Sequence, residues 1–197
     1  MIRIGILGDL GSGKSFVARN FGYPVFNADD EVAKLYKKDK KIFYKLHKAL
    51  PKFIFSFPIN KNEITKAILA NKNNLKKIVK IVHFEVRKKM VFFLKRNNKK
   101  KIVILDIPLL LENKINREKD ILIFVNTRKN LIRKRLKKRL NSNKKLFSIL
   151  RNLQLPLDYK KRKSRFIINN NLPKKSVRKD IRNILNKLKN ERNNIRY

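Results

Sequence analysis

The sequence has no cysteine, no tryptophan and only two histidines. The missing cysteine excludes a disulfide framework and a thiolate metal site. With histidine so rare, acid–base chemistry falls mainly to carboxylates, lysines and arginines. Acids are scarce too: 14 Asp and Glu stand against 53 Lys and Arg. Long apolar runs are also missing. The most apolar later stretch, Ile42 to Ile59, is interrupted by Lys45, Lys48, Pro51, Lys52 and Pro58, so it does not read as a membrane span. Met1 to Leu7 is too short for a signal-peptide core and runs straight into a glycine loop. These absences point to a soluble, cytoplasmic protein. Its 197 residues suffice for one compact domain with a packed apolar core.

The formal net charge of +39 invites a nucleic-acid reading. Against that, the lysines are spread along the whole chain and keep company with many Asn and Ile residues. That pattern is a general compositional bias, compatible with an anionic small-molecule substrate. A dedicated nucleic-acid face is the alternative.

What is present is an alternation of strands and helices. Ile2 to Leu7 is an isoleucine-rich run of the kind buried on both faces in a parallel sheet. A short helix from Phe16 to Phe21 ends at Gly22-Tyr23-Pro24, and Val25-Phe26 is a second strand. Asn27-Ala28-Asp29-Asp30 then opens another helix. Ile64, Ala67, Ile68, Leu75, Ile78, Val79, Val82, Val86, Met90 and Phe93 recur at steps of three, four and seven, which assigns about residues 38–98 to a helical insertion. KIVILD (Lys101 to Asp106), ILIFV (Ile121 to Val125) and Phe166 to Ile168 are further strands. A basic helix runs from about Arg128 to Arg139, and Asn141-Ser142-Asn143 is a loop. Val177, Ile181, Ile184, Leu185 and Leu188 mark a C-terminal amphipathic helix, with a frayed tail expected from Asn190 onward. This order predicts an α/β fold with a parallel sheet.

The most specific motif is Gly8-Asp9-Leu10-Gly11-Ser12-Gly13-Lys14-Ser15, a complete P-loop pattern between a strand and a helix. Its glycines permit unusual backbone angles and let main-chain N–H groups approach phosphate oxygens. Lys14 reaches β- and γ-phosphates, and the Ser15 hydroxyl holds Mg²⁺. The carboxylates narrow the chemistry further. Asp29 follows the second strand, and strand carboxyl ends line the ligand crevice of an α/β sheet. It is either a proton acceptor during phosphoryl transfer or a helix cap. Asp106 ends its own strand before Pro108, and reads as Mg²⁺ support, as a substrate contact, or as a turn residue. Glu112 orients its neighbours or pairs with a lysine.

Taken together, these residues resemble dephospho-coenzyme A kinase, over most of the chain. GDLGSGKS matches the family's opening loop, and Asn27-Ala28-Asp29 stands where the family carries D-A-D. Asp106-Ile107-Pro108-Leu109-Leu110-Leu111-Glu112 matches its D-x-P-L-L-x-E segment. His83-Phe84 stands at a His-Pro pair, and Arg135 and Arg139 keep the family's arginine spacing. Gln154 to Lys160 resembles the lid-end motif. Ser164 to Asn170 resembles A-D-x-V-I-x-N, with Arg165 in place of the aspartate.

The resemblance implies a P-loop NTPase-type three-layer fold with a helical acceptor-binding insertion and a lid at about 139–162. It implies an ATP- and Mg²⁺-dependent phosphorylation of the ribose 3′-hydroxyl of 3′-dephospho-coenzyme A, the last step of coenzyme A synthesis. Asp29 would be the base, with Lys14, Arg135 and Arg139 stabilising the transferring group. Residues Leu10 to Ser15, Lys160 and Asn170 would bind nucleotide. Asp29, His83, Asp106, Pro108, Leu109, Leu110 and Glu112 would line the acceptor site, and Ser15 and Asp106 would hold the metal. The alternatives are another small-molecule or nucleotide kinase, and a basic nucleic-acid-binding ATPase.

Overall fold

The isoleucine-rich run at the start becomes β1 (Ile2–Gly8), buried from its second residue to its last. It sits at the centre of a five-stranded sheet of order β2-β3-β1-β4-β5. The other strands are β2 (Val25–Asn27), β3 (Ile102–Asp106), β4 (Ile121–Asn126) and β5 (Phe166–Asn169). β1 pairs in parallel with β3 and β4, and β4 with β5; Ile4 is aligned with Ile104 on one side and Ile121 on the other. Parallel strands need crossover connections, which helices supply. The structure is a computed structural model that describes residues 1–139, 143–171 and 174–194. Its helices are α1 (Lys14–Asn20), α2 (Ala28–Lys38), α3 (Lys40–Ala49), α4 (Lys61–Ala70) and α5 (Lys72–Arg96). Then follow α6 (Lys129–Arg139), α7 (Lys144–Asn152), α8 (Leu157–Lys163) and α9 (Lys174–Asn194). No helix among the described residues is long and apolar enough to cross a membrane.

The chain divides into two compact units. The first comprises Met1–Phe26, Lys100–Ser142 and Arg151–Tyr197. Its core joins sheet residues Ile4, Ile6, Ile104, Ile123 and Ile168 to Val17 and Phe21, and to Val177, Ile181 and Leu188 of α9. Each such side chain contributes roughly 1.5–3 kcal/mol on burial. Gly5 lets Leu110 lie flat on β1, since a Cβ there would come within 2.5 Å of Leu110 Cδ2. The C-terminal tail corrects an expectation. α9 does not fray at Asn190 but runs to Asn194, and residues 195–197 of that tail lie outside the described residues. No glycine or proline follows Leu188 to stop it, and Glu191 pairs with Arg165.

The second unit comprises Asn27–Lys99 and Asn143–Leu150. It therefore begins before residue 38 and takes in part of the segment read as a lid. Its helices are started by polar side chains. Asn27 Oδ1 accepts from Asp30 N (2.9 Å), Asp39 Oδ1 from Ile42 N (3.1 Å) and Asn71 Oδ1 from Asn73 N (2.8 Å). Each cap is worth roughly 1 kcal/mol. The Asn71 cap also divides the long periodic stretch into α4 and α5. Ile64, Ala67 and Ile68 are buried on α4, and Leu75, Ile78, Val82 and Val86 on α5. α2 carries Asp29, Asp30 and Glu31 in its first turn and Lys37 and Lys38 in its last, the arrangement its dipole favours.

Candidate active site

In a parallel sheet all strands end at one edge, and that edge collects the polar residues of the first unit. β1 ends at Gly8 and passes into the glycine loop; β3 ends at Asp106; β4 and β5 are followed by Thr127 and Asn170. Ser12, Asp106, Thr127 and Asn170 are all buried. The loop turns on positive φ angles at Gly11 (81°) and Gly13 (89°), a region other residues occupy only with strain. Gly13 is fixed by space as well. A Cβ there would come within 2.2 Å of Asn170 Nδ2. The Lys14 ammonium is drawn across the loop, donating to Gly8 O (3.2 Å) and Asp9 O (2.9 Å). Ser15 follows in the first turn of α1.

The loop is held from beneath at one atom. Ser12 O accepts from Thr127 Oγ1 (2.9 Å), Arg135 Nη1 (2.9 Å) and Asn170 Nδ2 (2.7 Å). Arg135 Nη2 also donates to Asn170 O (3.1 Å). Asp9 is held separately: Oδ1 accepts from Leu10 N (2.7 Å), and Oδ2 pairs with Arg151 Nη2 (2.9 Å). Arg139 ends α6, and its side chain lies outside the described residues, as does the 140–142 segment of the expected lid and loop.

The DIPLLLE segment meets the lid-end motif directly. Glu112 Oε1 pairs with Lys160 Nζ (2.6 Å) and accepts from Leu155 N (2.9 Å). Lys160 Nζ also donates to Gln154 Oε1 (3.2 Å). The side chains of Lys160 and Glu112 are only 4% and 10% exposed. Within the same segment Leu110 is buried, Pro108 is half-buried, and Leu109 takes a positive φ of 58°. A second buried pair, Arg3–Asp120 (2.9 Å), sits where β1 and β4 begin, away from the strand ends that carry the loop. Burial raises the Asp120 carboxyl above its ordinary value and lowers the Arg3 guanidinium, outweighing their mutual attraction.

In the helical unit, Asp29 is exposed in the first turn of α2, and the capping bond there is made by Asn27. His83 is half-buried in α5; burial, with a smaller push from Arg87, lowers its pKa. Phe84 is exposed beneath the Lys88 ammonium, 4.2 Å from the ring centroid. An open cavity of about 920 Å³ is lined by Lys37, Lys38, Lys40, Lys41, Lys89 and Phe57, among others.

Sequence reasoning missed Thr127 and the Asp9–Arg151 pair. Thr127 was findable as the second polar residue after the buried ILIFV strand, at a carboxyl end where ligand-site residues gather. Arg151 carried no such signal among 53 cations.

A parallel sheet in this order, with a glycine–lysine–serine loop after its central first strand, defines a P-loop enzyme of the phosphate-transferring class. The family model for dephospho-CoA kinase matches residues 2–175. The chain is 34% identical over 190 residues to a dephospho-CoA kinase from Wolbachia pipientis wMel, covering 94% of this chain and 97% of that one. It is 32% identical over 193 residues to one from Bartonella quintana, covering 95% and 98%. Among solved structures, TT1252 from Thermus thermophilus shares the fold with a TM-score of 0.77 at 23% identity, covering 95% of this chain and 97% of that one. The dephospho-CoA kinase from Campylobacter jejuni does so at 0.62 and 19%, covering 94% and 96%. The chain belongs to the dephospho-CoA kinase family.

Proposed function

We propose that this enzyme transfers the γ-phosphoryl group of ATP to the ribose 3′-hydroxyl of 3′-dephospho-coenzyme A, giving coenzyme A and ADP. The observation that carries the reading is the match over residues 2–175, joined to a complete, glycine-built phosphate loop. In the reaction the 3′-oxygen attacks the γ-phosphorus, the bond from that phosphorus to the β–γ bridging oxygen breaks, and the hydroxyl proton leaves to a base. Asp29, two residues beyond β2 in the chain, is assigned as that base. Lys14 would swing from its carbonyl partners onto the β- and γ-phosphates.

The donor set fits Mg²⁺. No group of three or more His, Asp or Glu side chains suited to a metal occurs among the described residues, and Mg²⁺ bound with nucleotide phosphates needs only one or two protein oxygens. Ser15 and Asp106 are the two assigned to it, and the ion would neutralise charge on the phosphates. His83, Asp106, Pro108, Leu109, Leu110 and Glu112 are assigned to the acceptor, and Lys160 and Asn170 to the nucleotide side. The helical unit is assigned to acceptor binding, with residues 139–162 closing as a lid. The lysines around its open cavity suit an acceptor that carries phosphates. ATP and dephospho-coenzyme A are then the partners, in the cytoplasm.

The test is an ADP-release assay with purified protein and a panel of acceptors. Turnover with dephospho-coenzyme A and none with nucleoside monophosphates is the expected result. The reverse pattern would refute the assignment, and RNA-stimulated ATP hydrolysis would favour the nucleic-acid alternative.

A further inference from the structure

Three side chains from separate parts of the first unit converge on a single main-chain oxygen. Thr127 comes from the turn after β4, Arg135 from α6, and Asn170 from the residue after β5. All three donate to the carbonyl of Ser12, at 2.9, 2.9 and 2.7 Å. A carbonyl oxygen has two lone pairs, so three donors occupy its accepting capacity fully. Ser12 is fully buried, and its hydroxyl, equally buried, finds no hydrogen-bond partner. The convergence is therefore aimed at the main chain of the loop and not at the serine side chain.

Holding that carbonyl has a consequence one atom further on. The peptide between Ser12 and Gly13 is planar and trans, so its C=O and N–H point in opposite directions. Fixing Ser12 O toward the three donors fixes the Gly13 N–H away from them. That amide belongs to the stretch of the loop that cradles phosphate. The clamp is braced in turn. Arg135 Nη2 also bonds Asn170 O (3.1 Å), and Asn170 N donates to Asn126 O (2.8 Å). A Cβ at Gly13 would come within 2.2 Å of Asn170 Nδ2 and push that side chain out of the clamp.

We propose that Thr127, Arg135 and Asn170 form a main-chain clamp that sets the Gly13 amide for phosphate, with Thr127 as a positioning residue for the nucleotide. The clamp orients a donor and does not touch the acceptor. Arg135 in this role acts through the loop. The proposal rests on the reading of the loop as the ATP site.

The experiment compares wild type with Thr127→Val, Thr127→Ser, Asn170→Ala and the Thr127→Val/Asn170→Ala double variant. It measures the ATP Kd by calorimetry, KM for both substrates, and the thermal midpoint without nucleotide. Loss of one such hydrogen bond weakens ATP binding about fivefold, so Thr127→Val raises Kd and KM for ATP by that factor and leaves KM for dephospho-coenzyme A unchanged. Thr127→Ser restores ATP binding to within about twofold. In the double variant the two losses do not multiply, because they share one acceptor. Thr127→Val binding ATP as wild type does, Thr127→Ser failing as badly as Thr127→Val, or losses that simply multiply would each overturn the clamp alone. A wild type that binds no ATP would overturn the nucleotide reading and the clamp with it. Should Thr127→Val not fold, Asn170→Ala carries the same test: an unchanged ATP Kd there overturns the proposal.

Discussion

The two units handle polar groups in opposite ways. In the sheet unit Arg3, Asp9, Ser12, Asp106, Thr127, Lys160 and Asn170 are buried, whereas Glu63 is the one buried charged or polar residue among those described in the helical unit. The helical unit instead exposes Tyr44, Phe55, Phe84, Val91 and Phe92, with lysines around its cavity. A buried polar group left unsatisfied destabilises the fold, and in the sheet unit Asp9, Thr127, Lys160 and Asn170 meet that demand through a fixed set of bonds, the Ser12 hydroxyl excepted. The helical unit uses asparagine and aspartate at helix starts and leaves its ring faces and cations at the surface. Preorganised chemistry suits the first construction, and a broad contact surface suits the second.

The contrast breaks most sharply at Lys14 and Asp29. Lys14→Ala removes the phosphate-directed cation, and Asp29→Asn removes the assigned base. Both are expected to lower kcat by a hundred- to ten-thousandfold, the range for a lost electrostatic or proton-transfer contribution, with folding unchanged by circular dichroism. Near-normal turnover of Asp29→Asn would make Asp29 a helix-dipole residue and move the test to Asp30.

Next come two largely buried carboxylates, Glu112 in the sheet unit and Glu63 in the helical unit. Glu112→Gln leaves Lys160 buried and uncompensated, which costs about 3–5 kcal/mol and should lower the thermal midpoint by roughly 10 °C. Glu63 accepts from Phe55 N (3.1 Å), Ser56 N (3.4 Å) and the Ser56 hydroxyl. It pins a loop without burying a countercharge. Glu63→Gln should therefore cost less, about 1–3 kcal/mol. Equal losses would erase the distinction between the units.

The smallest effect is the pH response of His83. Its folded pKa lies below the ordinary 6.5, chiefly through burial. Between 6.5 and that lower value the unfolded chain holds more protons, so stability falls as pH drops below about 6.5. His83→Gln should flatten that part of the curve. An unchanged slope would place the acid sensitivity elsewhere.

These contrasts also explain what the sequence showed and hid. The strands were legible because Ile2–Leu7, KIVILD and ILIFV are nearly unbroken apolar runs, buried on both faces. The α4–α5 stretch was legible by period, but its division at Asn71 was not, because an N-cap looks like any polar residue until its bond to Asn73 N is seen. The phosphate loop announced itself through spacing that its backbone angles require. The DIPLLLE and QLPLDYK segments stood out separately. Their union through Glu112 and Lys160 depends on tertiary packing that leaves no local pattern. Thr127 stands in view at a strand's carboxyl end, but its pairing does not: its partner, Ser12 O, belongs to the backbone, and backbone carbonyls have no sequence signature. From Asn190 the polar residues read as a frayed end, yet α9 runs on to Asn194, because helix continuation needs only the absence of a breaker.

The most direct measurement is ³¹P NMR of the products after wild-type enzyme, ATP, Mg²⁺ and 3′-dephospho-coenzyme A are incubated together, with Lys14→Ala alongside. The expected product is a new phosphomonoester on the ribose 3′-oxygen, formed in step with ADP by the wild type and missing with Lys14→Ala. Free phosphate in place of that monoester, or the same monoester formed by Lys14→Ala, would contradict it.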